Sequence, residues 1–205
     1  MNIIVFGASG KTGKLVVEQA LNLQHEVTAF VRNPTKLQLN HPNLHIIQGD
    51  ALEEETVQKA ISGKDVVISC LGSSSGLGKT TVLHEMTQNI VNGMKVNNVS
   101  RIIYMASAGI EKEIPGLIGK LTMKMLGNVL EDHRNAVDVI KANNLTWTVA
   151  RPMGLSDNPP TGSYREEHQG VPKGSRSISR ADVADFITRA LTDDKYLNQS
   201  VALGN

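Results

Sequence analysis

Apolar residues fall in two alternating rhythms along this chain. Residues 2–6 (NIIVF) are β-rich and apolar at nearly every position, as in a strand covered by helices on both faces. From Lys11 to Leu23, positions Leu15, Val16, Gln19, Ala20 and Leu23 recur at helical spacing. The alternation then repeats. Strands are predicted at 26–31, 44–48, 65–71, 101–106 and 145–150, and helices at 53–61, 80–97, 128–143 and 180–191. Asn33-Pro34 and Gly63 punctuate two of the ends. Residues 72–78 (GSSSGLG) lack periodicity and read as loop. Residues 110–126 are apolar without a strand pattern and read as an irregular lead-in to a helix. Residues 154–175, rich in Gly, Pro and polar side chains, read as an excursion. A hairpin is expected there, with strands near 163–166 and 176–179, and a last edge strand at 200–203.

Strands alternating with helices through short links predict an α/β fold with right-handed crossovers. The expectation is a single doubly wound Rossmann domain over residues 1–205. It has a parallel sheet of six to seven strands, helices on both faces and a small substrate-side excursion at about 154–179. No period of repeats suggests a solenoid. Such folds bind ligands at the carboxyl ends of the strands, where the strand order reverses.

Composition narrows the partners. Lys plus Arg number 21 and Asp plus Glu 20, a net charge of +1, so neither nucleic acid nor an anionic membrane is expected as a partner. Aromatics at 3% argue against a base-stacking platform. No apolar run is long enough to span a bilayer, and the start MNIIVFGASG lacks the basic region of a signal peptide. A single cysteine, Cys70, excludes an internal disulfide and fits a reducing, cytoplasmic location. The His, Cys, Asp and Glu spacing matches no metal site, and no G-x-S-x-G elbow suggests a serine hydrolase.

The strongest motif is Gly7-Ala8-Ser9-Gly10-Lys11-Thr12-Gly13, between the first strand and the first helix. Glycines at this spacing serve a tight turn, a close approach of backbone to a pyrophosphate, and close helix–strand packing. Amides of Ser9 to Gly13 at the helix start would hold the phosphates. A P-loop fails here: Ala8 stands where its first glycine would fall, and Leu15 follows Gly13-Lys14. At the end of the second strand, an enzyme that uses NAD places an acid against the ribose 2′-hydroxyl. This chain has Val31-Arg32-Asn33. A guanidinium suits a 2′-phosphate, which predicts NADP(H) in preference to NAD(H), with Lys11 and Lys36 adding charge. Asp50 and Ala51 after the third strand, and Leu71 and Gly72 after the fourth, complete the expected cofactor wall. Asp50 reads equally as a turn residue.

These residues together resemble the atypical branch of the short-chain dehydrogenase/reductase superfamily. The signals are the glycine loop, VRNPTKL, IIQGDALEEETVQKAISGKDVVISCLG and VSRIIYMASAG. Within that branch the chain is similar over nearly its whole length to the biliverdin-IXβ reductase/flavin reductase family. There the signals are TTVLHEMTQNIVNGMK, DHRNAVDVIKANNLTW and the tail with TGSY and ISRADVADF. The resemblance implies hydride transfer from a nicotinamide cofactor to a flavin- or tetrapyrrole-like acceptor. It places Ser107 near the nicotinamide as the candidate catalytic residue, and Arg151-Pro152 on the nicotinamide side. The family's histidine at that turn is replaced by Met153 or Gly154.

The usual Tyr-x-x-x-Lys pair is absent: Tyr104 has Ala108 four residues on, Tyr164 has His168 and Tyr196 has Ser200. A ketone needs such an acid, whereas a flavin or quinone accepts hydride at a ring atom and can take its proton from water. The expected activity is therefore an NADPH-dependent reductase of a flavin-, quinone- or tetrapyrrole-like small molecule, acting as a monomer or small homo-oligomer. The rival is a non-catalytic NADP(H)-binding redox sensor acting on a protein partner. Three further expectations concern the second half of the chain. His133 is read as a helix-surface residue, His168 as a loop histidine within reach of the site. Leu117, Ile118, Leu121, Met123, Met125 and Leu126 are read as a pocket wall or lid, or as ordinary packing.

Overall fold

The computed structural model describes residues 1–72 and 78–205, without the side chain of Ile118. The loop expected at 72–78 therefore lies, from 73 to 77, outside the described residues. Chain order begins β1 (Asn2–Phe6), α1 (Lys11–Asn22), β2 (Glu26–Val31), β3 (Leu44–Gln48), α2 (Glu54–Ile61) and β4 (Val66–Ser69). It continues α3 (Val82–Val96), β5 (Arg101–Met105), α4 (Gly116–Met125), α5 (Gly127–Lys141) and β6 (Thr146–Pro152). The last part is β7 (Gly154–Ser156), β8 (Arg165–Glu167), β9 (Ser177–Ser179), α6 (Arg180–Arg189) and β10 (Gln199–Gly204).

The main sheet runs β3-β2-β1-β4-β5-β6-β10-β8. All pairs are parallel except β10 with β8. The chain winds outward from β1 to β3, returns to β4 on the other side of β1, and winds outward again. The order thus reverses between β1 and β4, which sets a crevice at their carboxyl ends. Alternation in β1 explains its unbroken apolar run. Ile3 and Val5 face a core shared with α1 and α6, through Val16, Ala20, Val183 and Phe186. Ile4 and Phe6 face a second core under α2, α3 and α5, through Val57, Ile61, Ile90 and Ile140.

The seven parallel strands from β3 to β10 match the expected six to seven, and β8 adds an antiparallel eighth. Two expectations about the last third of the chain are corrected. The hairpin does not form: β8 pairs antiparallel with β10, and β9 pairs parallel with β7 in a separate two-stranded ribbon. The final strand is not an edge, because β10 lies between β6 and β8. A ribbon of two three-residue strands does not stand alone, and it is tied to the end of β10: the Met153 amide donates to the Leu203 carbonyl and the Asn205 amide to the Ser177 carbonyl, each at 2.9 Å.

Candidate functional site

At the reversal point lies a cleft of about 480 Å³. Its floor is the glycine loop. Gly7 has φ +74°, and a Cβ there would lie 2.6 Å from the Cys70 carbonyl oxygen, so only glycine fits between β1 and the end of β4. A Cβ on Gly13 would lie 2.2 Å from the Gly7 carbonyl oxygen, so this glycine lets α1 sit against the turn. The Gly10 amide donates to the Gly7 carbonyl at 3.0 Å and closes that turn. Gly10 is the N-cap of α1 and has no side chain to fill the cap, and no acid stands in the first turn. The first amides of α1 have no partner within the helix and, with its dipole, favour an anion.

Of the residues singled out by sequence, Gly7, Ser9, Gly10, Lys11, Thr12, Gly13, Arg32, Asp50, Ala51, Leu71 and Gly72 all line this one cleft. Arg32 and Lys36 are exposed at the end of β2. Asp50 also accepts the Leu52 amide at 3.0 Å, so it closes a turn while it faces the cleft. Cys70 is buried, and burial pushes its thiol up to about 12, which leaves it an unreactive lining residue.

Sequence reasoning missed Arg180. It opens α6, lines the cleft, and pairs with Asp157 at 2.5 Å. The other carboxylate oxygen of Asp157 meets Lys11 Nζ at 2.5 Å. The Asp157 carboxyl is held below the usual range, first by the Lys11 hydrogen bond, with the charges of Arg180 and Lys11 acting in the same direction. Two cations on separate elements are thereby gathered beside the glycine loop. The SRADVAD signature that placed α6 gave no hint that its first residue would reach β1.

Ser107, Arg151 and Pro152 sit apart from these residues. The Ala106 amide donates to the Ala150 carbonyl at 2.8 Å, and the Ala108 amide to the Pro152 carbonyl at 2.9 Å. This zips residues 106–108 alongside 150–152, two residues beyond Met105, which does line the cleft. The Ser107 hydroxyl donates to the Ala108 carbonyl at 3.0 Å, a turn-serine contact. The Arg151 side chain departs from expectation: it is 0% exposed and turned away from the cleft. It bonds Glu113, pairs with Glu111 at 3.8 Å, and donates to Ser200 Oγ at 2.9 Å. It also reaches the carbonyls of His168, at 3.3 Å, and Gly170, at 3.4 Å. A buried guanidinium must be paired, and this one draws two acids and two loop carbonyls to the ends of β6 and β10. His168 enters that network through its backbone.

His133 is likewise not on a surface. It is 7% exposed, and the Tyr104 hydroxyl lies 3.0 Å from its Nδ1. Burial lowers its pKa to about 4, overcoming the opposing charge of Asp132. Asp132, also buried, accepts the Leu83 amide at 3.1 Å and the His84 amide at 3.0 Å, capping α3 from α5. The apolar set on 117–126 divides. Leu117, Leu121 and Met125 are exposed, while Met123 and Leu126 pack on the second core. The side chain of Ile118 lies outside the description. Among the described residues no cluster of His, Cys, Asp and Glu is fit to hold a metal, and no helix is long and apolar enough to cross a membrane.

With this geometry in hand, comparison with known proteins gives a class. A family described as NAD(P)H-binding matches residues 7–194, and the chain belongs to it. An uncharacterized chloroplastic protein of Arabidopsis thaliana is 30% identical over 205 residues, covering 94% of this chain and 72% of that protein. A wide-type short-chain dehydrogenase/reductase from Veillonella parvula, solved with NADP, superposes with TM-score 0.85 at 22% identity, covering 100% of this chain and 94% of that one. ChuY of Escherichia coli O157:H7, described as an anaerobillin reductase, superposes with TM-score 0.83 at 22% identity, covering 99% and 96%. The two superpositions are likenesses of fold. The chain is thus a member of an NAD(P)H-binding family on a Rossmann fold.

Proposed function

We propose that this protein is an NADPH-dependent reductase that passes hydride to a flavin-, quinone- or tetrapyrrole-like acceptor. The observation that carries the cofactor choice is the end of β2, where Arg32 and Lys36, with no acid between them, open onto the cleft. The protein's own groups fit a dinucleotide. A Cβ would fill the Gly7 cradle, and the uncapped start of α1 offers amides to a pyrophosphate. Arg32 would hold a 2′-phosphate, with Lys36 adding charge. Arg180 and Lys11, both now paired with Asp157, would be available to a pyrophosphate at the glycine loop. Asp50 and Ala51 border the adenosine. Leu71 and Gly72 continue that wall.

The bound cofactor supplies a hydride at its nicotinamide ring. Ser107 and the Pro152 turn would border the nicotinamide end, where Ser107 could give up its Ala108 contact to position the ring or the acceptor. The chain offers no Tyr-x-x-x-Lys pair, which favours acceptors whose proton comes from water. Catalysis then rests on orientation and proximity. ChuY, similar in fold and described as an anaerobillin reductase, supports the acceptor class. The lone, buried Cys70 suits a reducing compartment such as the cytosol.

The test is a fluorescence titration with NADPH and with NADH, followed by NADPH oxidation with FMN, riboflavin, a quinone and a linear tetrapyrrole. Tight NADPH binding with turnover on one acceptor class is expected. Losing two charge-assisted bonds in Arg32→Ala should weaken NADPH by roughly 10–100-fold, from about 1.5–3 kcal/mol, and leave NADH within about twofold. Equal losses for the two cofactors would refute the 2′-phosphate assignment. Tight binding without turnover on any acceptor would replace the reductase by the redox sensor.

A further inference from the structure

The exposed face of α4 carries an amphipathic pattern of its own. Leu117, Leu121 and Met125 are 86%, 70% and 61% exposed. At successive i, i+4 positions they form one stripe, with about 40° between neighbours. Lys120 and Lys124 lie along one edge of that stripe, and Lys112 stands exposed in the turn before the helix. The opposite face is closed. Gly119 is pressed on Ile114, where a Cβ would meet Cγ2 at 2.7 Å, and Met123 and Leu126 join the core.

Charge across this segment is segregated. Its two acids both pair with the buried Arg151: Glu113 is turned inward, and Glu111 reaches it from the surface at 3.8 Å. Lys112, Lys120 and Lys124 turn outward with no ion-pair partner among the described residues. The helix itself contains no Asp or Glu. An outer face of leucine and methionine bordered by unpaired lysines matches a surface that is apolar below and anionic above.

We infer that α4 is a docking helix for anionic lipid bilayers, with Leu117, Leu121 and Met125 entering the interface and the lysines meeting the headgroups. A second copy of the chain fits less well. A two-fold pairing through α4 sets the lysines of both copies together. Three side chains also fall short of the roughly 800 Å² per partner that a stable interface buries. The inference uses only this surface and stands independently of the cofactor and acceptor.

The experiment is co-sedimentation of the purified full chain with vesicles of phosphatidylcholine alone and of phosphatidylcholine mixed with phosphatidylglycerol. Binding to the mixed vesicles, absent from the neutral ones and weakened by salt, is expected. The double variant Lys120→Gln/Lys124→Gln should bind about 30-fold more weakly, from roughly fivefold per lysine. Leu117→Gln/Leu121→Gln should lower binding by about tenfold or more. Both should keep wild-type melting temperature and NADPH affinity, since neither touches core or cleft, and this separates lost docking from lost folding. No sedimentation with mixed vesicles would overturn the inference, as would binding that survives the leucine changes. Self-association in size-exclusion chromatography that these leucine changes abolish would assign the face to a second copy instead.

Discussion

Acidification from pH 8 to pH 5 should destabilise this protein chiefly through His133, the more deeply buried of the two histidines whose pKa is lowered by burial. Its imidazole is buried between β5 and α5, with the Tyr104 hydroxyl at 3.0 Å, and burial holds its pKa at about 4, against 6.5 for an exposed histidine. The folded state therefore takes its proton later than the unfolded chain does. Stability is complete above about pH 6.5 and is lost as the pH falls toward 4, because the unfolded state binds more protons across that window. At roughly 1.4 kcal/mol per pH unit the full loss is about 3.5 kcal/mol, and about 2 kcal/mol of it is reached by pH 5. That is a large part of the roughly 5–15 kcal/mol that holds a domain together. The assay is urea unfolding at pH 8 and pH 5 for the wild type and for His133→Gln, whose amide can accept from Tyr104 but does not titrate. The gap between the two proteins should shift by about 2 kcal/mol in favour of the variant on going to pH 5. Parallel curves at both pH values would refute the argument, and the acid sensitivity would then lie in other groups.

Four further perturbations address the site and its supports. Gly13→Ala sets a Cβ 2.2 Å from the Gly7 carbonyl oxygen, backbone against backbone, and should lower stability by roughly 1–3 kcal/mol or more in thermal melts. Gly10→Ala meets only the Gly7 oxygen at 3.2 Å, so it should fold normally while weakening NADPH in the same titration. Glu113→Ala leaves the Arg151 guanidinium buried without its nearest carboxylate. It should cost about 3 kcal/mol in urea unfolding, less whatever Glu111 recovers. Asp182→Ala removes the acceptor for the Thr161 and Gly162 amides, at 2.9 and 3.0 Å, and for Ser179 Oγ at 2.9 Å. It should cost roughly 1–3 kcal/mol and raise the hydrogen-exchange rate of residues 157–163.

The first half of the chain, through β5, was readable because each element there is fixed by local pattern. Strand β1, covered on both faces, must be apolar throughout, and the chain writes Ile3, Ile4, Val5 and Phe6. Gly7 and Gly13 must lack side chains because backbone lies within 3 Å of where a Cβ would stand. Such constraints act within a dozen residues and leave a motif. The last third is built differently. β8 and β9 are three residues each, too short for periodicity, and their partners β10 and β7 are chosen by tertiary packing. His133 reads as a surface residue beside Asp132 because nothing local says that both face inward. Asp132 is buried by the start of α3, and His133 by Tyr104 on β5.

Charge shows the same divide most plainly. A net charge of +1 argues against an anionic partner, yet that figure averages over carboxylates that are already spoken for. Glu111 and Glu113 are consumed by Arg151, which lies about forty residues further on and is drawn in by the register of β6 beside β10. Once those two acids are withdrawn, the lysines of 112–124 stand alone on the surface. A composition count treats every charge as equally free, whereas a field at a surface depends on which charges the interior has claimed. The sheet's carboxyl edge is accordingly written in two ways. Around the glycine loop, backbone geometry dictates residue type and the sequence displays it. Around Arg151, a buried cation selects its partners through space, and the residues it selects carry no signature until the strands that gather them are in place.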